Sequence, residues 1–399
     1  MKRAKNLFEV LISDENLSKA IDAVNKTHHW KTGHQPNTCT AWVEETKEER
    51  IRELRNKITR GYVPKKPIVS TRWEPSALKM RTINQPIQWP DQYIHHALIQ
   101  VLQPVMMRGM DRHCSGSIKG RGIHYAAYYI EKWMNTDVRG TKYCLACDIY
   151  HFYESLKPEI IIDRMNHLIK DERTIDLIER VVRDGIKIGF YTSQWFANTV
   201  LQPLDVIIRE DIACTHYVRY MDNFTIFSSN KRKLHRLKNK IEKWLNDHGL
   251  AMKGDWQVYR VIGKEEKKPL KEPRRGFTRP KGRMVDAVGY RFGRGFVLLR
   301  KRTFFRMKRK VRRYRYNKWK KKPLTRKMAA GLLSRFGMLK HCTNHNLYQY
   351  LYQGKKLPKE LKRIVRKSQK EEKPITWNTY MEQRRKKKSL EPKAAPTPT

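Results

Sequence analysis

Two aspartates set the chemistry to consider. The run "KYCLACD" ends on Asp148, and "YVRYMDNFTIF" carries Asp222 in the break between two β-patterned stretches. The first pattern predicts a short buried strand ending near Asp148, the second a hairpin with Asp222 at its turn. Carboxylates brought to one point by separate strands suit phosphoryl transfer to a growing strand. That reaction uses two divalent cations about 3.5–4 Å apart, one activating a hydroxyl and one holding a triphosphate. Mg²⁺ takes oxygen ligands and binds through one or two carboxylates plus substrate phosphate, and Mn²⁺ is its ordinary substitute. The backbone carbonyl of Ile149 would add a ligand, and Asn223, beside Asp222, an uncharged one. Each aspartate alone suits a plain turn or a helix cap equally well. Their pairing and their flanks make the case.

The chain must build the elements that bring those strands together. Its 399 residues suffice for two or three domains. Residues 1–60 have a helical pattern with a polar break near His34 to Thr40, and "YVPKKPIVSTRW" reads as extended. "WPDQYIHHALIQVLQPVM" returns to helix with Pro90 near its start. Helical sequence separates Asp148 from the hairpin, as expected of neighbouring strands joined by a long connection. "KRKLHRLKNKIEKWLNDHGL" repeats apolar residues at helical spacing and stops at Gly249, and "DAVGYRFGRGFVLLRKR" predicts a hairpin pivoting on Gly293 to Gly295. The opening "MKRAKNLFEVLISDENL" has the pattern of an amphipathic helix rather than a signal peptide.

Charge narrows the partner. Lys and Arg total 86 against 39 Asp and Glu, a formal charge of +47. Self-repulsion at that density needs a polyanion, and nucleic acid is the natural one because each neutralised phosphate releases condensed cations. A membrane surface fits less well, since no apolar run approaches 18 residues. The stretch 300–322 has 14 basic residues in 23, interleaved with aromatics, and Arg309, Lys310, Arg312 and Arg313 are its candidate phosphate contacts. Cys144 and Cys147 have CxxC spacing without a second pair, and Cys342 with His345 is an incomplete ligand set. Both read as structural, in a reducing cytoplasm. The tail from about 368 is expected to be disordered.

Several segments resemble reverse transcriptases. "CDIYHFYESL" is similar to the motif in which an Asp is followed, five residues on, by an aromatic under the nucleotide sugar, here Tyr153. "YMDN" resembles the family's Tyr-x-Asp-Asp hairpin, with Asn223 in place of the second Asp. In "GIKIGFYTSQWFAN" Ile188, Gly189, Ser193 and Gln194 stand where most of the family has Gln-Gly and Ser-Pro. That substitution is the pattern of the diversity-generating retroelement class, as are "SIKGRGIHYAA", "VGYRF" and "LLRKR". Lys187 departs from a common proline.

The resemblance implies an α+β right-hand polymerase whose palm holds an antiparallel sheet. Its parts would be an N-terminal helical segment (1–60), fingers (61–140), palm (141–298), a basic helical thumb (299–367) and the tail (368–399). It implies RNA-templated DNA synthesis, with Asp148 and Asp222 as catalytic metal ligands and Ile149 and Asn223 assisting. Lys79, Arg81, Tyr153, Ile188, Gly189 and Gln194 would meet the dNTP, and Arg121 a phosphate. Ile188, apolar where an amide would hydrogen-bond, implies loosened base pairing and errors at adenines. Lys253 has either the role of protonating pyrophosphate or that of a plain solvated lysine. Template RNA, an RNA–DNA hybrid and a small accessory variability protein are the implied partners. Two rivals stay open: a related phage-defence or retron-like enzyme, and an RNA-binding scaffold retired by Asn223.

Overall fold

The computed structural model describes residues 2–28, 38–74, 79–211, 216–263, 282–322, 324–343, 351 and 356–371. Four helices open the chain: α1 (Leu7–Ile12), α2 (Asp14–His28), α3 (Thr38–Glu45) and α4 (Lys47–Thr59). The predicted polar break therefore ends before Thr38. A two-stranded antiparallel ribbon follows, β1 (Ile68–Glu74) on β2 (Lys79–Gln85), with Arg72 directly opposite Arg81. After a π turn at Gln88–Gln92 come α5 (Tyr93–Met107), β3 (Cys114–Ser115), α6 (Ile123–Thr136) and β4 (Tyr143–Asp148). Five helices fill the long connection: α7 (Phe152–Ser155), α8 (Pro158–Leu168), α9 (Glu172–Val182), α10 (Tyr191–Val200) and α11 (Gln202–Asp211). Then β5 (Tyr217–Tyr220) and β6 (Asn223–Ser228) form the expected hairpin, followed by α12 (Lys231–Asp247) and β7 (Gln257–Arg260).

The central sheet has the order β3-β5-β6-β4-β7. It is mixed rather than purely antiparallel, because β3 pairs parallel with β5. The two-residue β3 is short enough to lie along β5 where the chain turns back through Gly116, and its Ser115 carbonyl accepts from the Met221 N–H at 3.0 Å. Beyond it, β8 (Val285–Ala287), β9 (Tyr290–Gly293) and β10 (Phe296–Leu299) form a three-stranded meander where the pattern predicts a hairpin. The helices α13 (Lys301–Trp319), α14 (Arg326–Leu339) and α15 (Lys356–Glu371) follow. The last runs to Glu371, into the segment read as a tail, and the rest of that segment lies outside the described residues, as does His345.

Strand alternation explains how the sheet packs on both faces and still leaves a cleft. Leu145, Cys147, Tyr217 and Ile226 bury into one core with α5, α10 and α12. Cys144, Val218 and Phe227 bury into a second core with α6, the meander, α13 and α14. Both β4 cysteines are free, and burial pushes the Cys144 thiol up to about 12 and Cys147 further still, the behaviour of structural thiols. Arg294, between β9 and β10, is buried and donates to the carbonyls of Ile262, Met134, Val138 and Thr141, which ties the meander to α6 and the start of β4. The positions of β4 on the second face nearest its end, Ala146 and Asp148, are covered by neither core and open into the cleft.

Candidate active site

Asp148 lies directly opposite Asn223 in the β4–β6 ladder, and Asp222 sits one residue back, in the turn. Neighbouring strands thus deliver the two carboxylates to one cleft of about 630 Å³, which Arg81 and Lys253 also line. The turn is a two-residue connection with Tyr220 paired to Asn223 and Met221 at φ 55°, the positive φ that tight hairpin turns require.

Both carboxyls are held above the usual carboxylate range. Burial raises Asp148 to about 7, and the charge of Asp222 beside it adds to the shift; burial also raises Asp222. Two acids this close resist ionising together. Asp148 Oδ1 is buried and accepts no hydrogen bond among the described residues, a costly state for a carboxylate without a cation. Asn223 is exposed and its amide nitrogen donates to Asp222 Oδ1 at 3.4 Å. At Ile149 the flanking bonds run from Tyr150 N to the Ala251 carbonyl and from Lys253 N to the Asp148 carbonyl. The Ile149 carbonyl therefore stays outside that ladder. Among the described residues no group of three or more His, Cys, Asp or Glu is arranged to hold a metal. Two carboxylates, one of them with an orphaned oxygen, fit a hard divalent cation that takes its remaining oxygens from substrate phosphate and water.

The residues expected to meet a nucleotide divide into neighbouring places. Arg81 lies in the carboxylate cleft, ion-paired to Glu74. Tyr153 is half-buried beside it, its hydroxyl pushed up by burial first and by the Asp222 charge second. Lys79 begins β2 opposite Glu74. Gly189 and Gln194 instead line a second cleft of about 370 Å³ with Arg72, His96 and Tyr191. Ile83, two residues beyond Arg81 on the same strand face and so about 7 Å away, lines this cleft too. The two clefts are adjacent along β2. Ile188 is half-buried, and its carbonyl accepts from Asn84 N at 2.8 Å. Gly189, at φ +117°, has its α-carbon so close to β2 that a Cβ would fall 2.3 Å from the Asn84 carbonyl oxygen. That close approach is made to the chain's own backbone. Arg121 is half-buried and donates to the Asp111 carbonyl at 3.2 Å. Lys187 lies 3.6 Å from Asp184. Arg309, Lys310, Arg312 and Arg313 are exposed on α13, whose N-cap Arg300 lines the carboxylate cleft.

Lys253 lies at the edge of the same cleft, with its side chain largely exposed. Its N–H anchors the Asp148 carbonyl, and its ammonium, bonded to Asp255 at 2.6 Å, stands in the field of both site carboxylates.

The support of the hairpin comes from residues outside the predicted site. Arg219 is fully buried and ion-paired to Asp205 at 2.6 Å. The same guanidinium donates to the Asn198 side chain and to the Met221 carbonyl, each at 3.0 Å, and so grips the turn that carries Asp222. Tyr217, on the same strand face, donates to Asp205 at 2.6 Å. Asn198 also donates to the Gly116 carbonyl, and a Cβ on Gly116 would lie 2.8 Å from Met221 Cγ. One signal was available: in "YVRY" a charged residue occupies an inward strand position.

Residues 63–255 match the family described as reverse transcriptase (RNA-dependent DNA polymerase). No curated protein matches the sequence. Among solved structures, telomerase from Candida albicans in complex with a fragment of telomeric RNA is 12% identical, with a TM-score of 0.43 over 82% of this chain and 60% of that one. Apo telomerase from Candida tropicalis is 11% identical, with a TM-score of 0.44 over 90% of this chain and 69% of that one. The chain thus spans less than two thirds of the Candida albicans protein. Among the described residues no helix is long and apolar enough to cross a membrane. The matched segment, residues 63–255, encloses both Asp148 and the hairpin of Asp222, so this part of the chain is similar to the reverse transcriptase domain, and the helices and mixed sheet around it have the architecture of a right-hand polymerase fold.

Proposed function

We propose that the protein is an RNA-directed DNA polymerase that copies a template RNA into cDNA with reduced accuracy, in a diversity-generating retroelement. The observation that carries the polymerase reading is the meeting of Asp148 and Asp222 in one cleft, with the Asp148 oxygen unbonded. Asp148 and Asp222 would hold two Mg²⁺ ions, with Ile149 and Asn223 as the weaker donors; bound there, the ions supply activation of the primer hydroxyl and charge neutralisation on the triphosphate. The chain's own groups do the rest. Arg81, and Lys79 at the start of the same strand, bind the triphosphate, and Tyr153 underlies the sugar, where its ring excludes a 2′-hydroxyl. Lys253 stands where it can give a proton to pyrophosphate as it leaves. Residues 61–140, 141–298 and 299–367 serve as fingers, palm and thumb.

The retroelement assignment rests on Ile188, Gly189 and Gln194 standing in place of the common pattern, and reduced accuracy rests on Ile188 alone. A small accessory protein is expected in that setting. The test is primer extension on an RNA template with Mg²⁺ and then Mn²⁺. Native protein should extend and Asp148→Ala should not, while Asn223→Asp should extend as well or better. No extension by native protein, supplied with cognate RNA and accessory protein, would overturn the polymerase reading. Recovery in Asn223→Asp alone would then date the loss to that asparagine. An Ile188→Gln variant with unaltered misincorporation opposite adenine would remove the role given to Ile188.

A further inference from the structure

The basic helix α13 sorts its aromatic side chains into two sets. Met307, Val311 and Tyr314 are buried at i, i+4, i+7 spacing and pack the helix against α14. Phe305, Tyr316 and Trp319 are exposed by 55, 52 and 71%. Positions 305, 309, 312, 316 and 319 follow i, i+4, i+7, i+11 and i+14, so they fall within about 40° of one line along the helix, on the side away from the buried set. The line reads Phe, Arg, Arg, Tyr, Trp over about 21 Å. The rings of Tyr316 and Trp319 stand 6.1 Å apart, and Lys320 covers Trp319 at 4.4 Å.

A single exposed ring is ordinary, but three on one line of a basic helix form a shared face suited to a partner. The charge around that face favours an anionic one. No Asp or Glu occurs in the sequence between Asp286 and Glu360, and Glu360 is engaged by Lys318 at 2.8 Å and Tyr314 at 3.2 Å. The cations already crowd each other. Arg306 is held below the usual range by burial and by Arg335, Arg302 and Arg309, and Lys310 likewise by burial, Arg335 and Arg306. A protein partner with an acidic face would answer the charge but has no special use for three separated rings. A duplex answers the charge too, yet its bases are already stacked on one another. An unpaired strand answers both, since its phosphates meet arginines while its bases stack on aromatic faces.

Building on the polymerase reading, we propose that the exposed stripe of α13 is a single-strand platform: Phe305, Tyr316 and Trp319 stack unpaired bases and Arg309 and Arg312 hold the intervening phosphates. Of the basic residues expected from sequence to contact phosphate, Arg309 and Arg312 thus lie on the stripe, Arg313 flanks it and Lys310 sits about 140° round the helix. The platform discriminates unpaired nucleic acid from the hybrid product and is read independently of nucleotide incorporation.

The experiment measures the affinity of the full chain for a labelled 12-nucleotide oligouridine and for a blunt 12-base-pair RNA–DNA hybrid, across a salt series. Replacing Phe305, Tyr316 and Trp319 together with Ala should weaken oligouridine binding at least tenfold, since stacking contributes about 5- to 150-fold per base. Hybrid binding should stay within about twofold. A second triple variant with Leu at the same positions keeps an apolar surface and removes the ring faces, and should behave as the Ala variant does. Arg309→Ala with Arg312→Ala should weaken both ligands and lower the salt slope by about 2. Native-like oligouridine binding by either triple variant overturns the proposal, as does equal loss for both ligands. Primer extension that persists alongside such a result leaves the polymerase reading standing. Ring-dependent binding of oligouridine without any extension by native protein leaves the platform standing and removes the polymerase.

Discussion

Replacing Arg219 should injure the protein twice, and the two injuries are separable. Its guanidinium donates to both oxygens of Asp205 at 2.8 and 2.6 Å, to the side chain and backbone of Asn198 at 3.0 and 3.3 Å, and to the Met221 carbonyl at 3.0 Å. Arg219 and Asp205 are 0 and 2% exposed. Arg219→Met keeps the stem's volume but strands a buried carboxylate whose Tyr217 bond alone does not replace a counterion. Removing one partner of a buried pair costs about 3–5 kcal/mol, a large share of the roughly 5–15 kcal/mol that holds a domain together. A double variant, Arg219→Met with Asp205→Leu, removes both charges, and such replacements are often neutral or stabilising. Most of the lost stability should therefore return. The Met221 carbonyl would still lack its donor, so Asp222 would ride on a looser turn and primer extension should stay depressed. Urea unfolding gives the first quantity, and amide exchange along Tyr217–Tyr220 with steady-state extension gives the second. An Arg219→Met variant within about 1 kcal/mol of native would refute the buried-pair reasoning. Full extension by the double variant would refute the grip on the turn.

Two other consequences follow from the same cleft. The raised Asp148 acid means the native state keeps a proton that the unfolded chain loses near pH 4. Stability should therefore fall as pH rises from about 4 toward 7. Asp148→Asn should then stabilise the metal-free protein at pH 8, by about 2 kcal/mol after allowance for partial exposure, and much less at pH 4; thermal melts at both values check this. Divalent cation binding must displace that proton, so calorimetric Mg²⁺ titrations at pH 6.5 in two buffers of different ionisation enthalpy should differ by proton release, and the difference should vanish in Asp148→Asn. At the junction of the two clefts, Gly189→Ala would place a methyl 2.3 Å from the Asn84 oxygen at a φ of +117°. It should cost more than about 1–3 kcal/mol or open the contact between β2 and the 188–189 turn. An unchanged melting temperature with unchanged exchange at Asn84 would contradict that.

What could be read from the chain was what short-range pattern encodes. Apolar runs, turn residues and their order marked β4, the hairpin and α12, and the two aspartates stood at strand ends where backbone pairing could bring them together. The residues that make the pairing rigid carry no such local mark. Asp205 lies on α11 in a run that reads as an ordinary amphipathic helix, and Arg219 is one basic residue among 86 Lys and Arg. Their relation exists only once β5 packs on α11. Gly189 shows the opposite failure. A glycine can mark a place where no side chain fits, but not what fills the space, and here it is the backbone of a strand about a hundred residues earlier. Lys253 joins the site for the same reason, through a backbone bond to Asp148 that no side-chain pattern records. In α13 composition implied a nucleic-acid surface, and the burial of Met307, Val311 and Tyr314 decided which rings remain outside to meet it. In each case the residue type states a need, and the fold supplies its object. Function becomes legible where a need is left over, as it is at the unbonded oxygen of Asp148 and on the uncovered rings of α13.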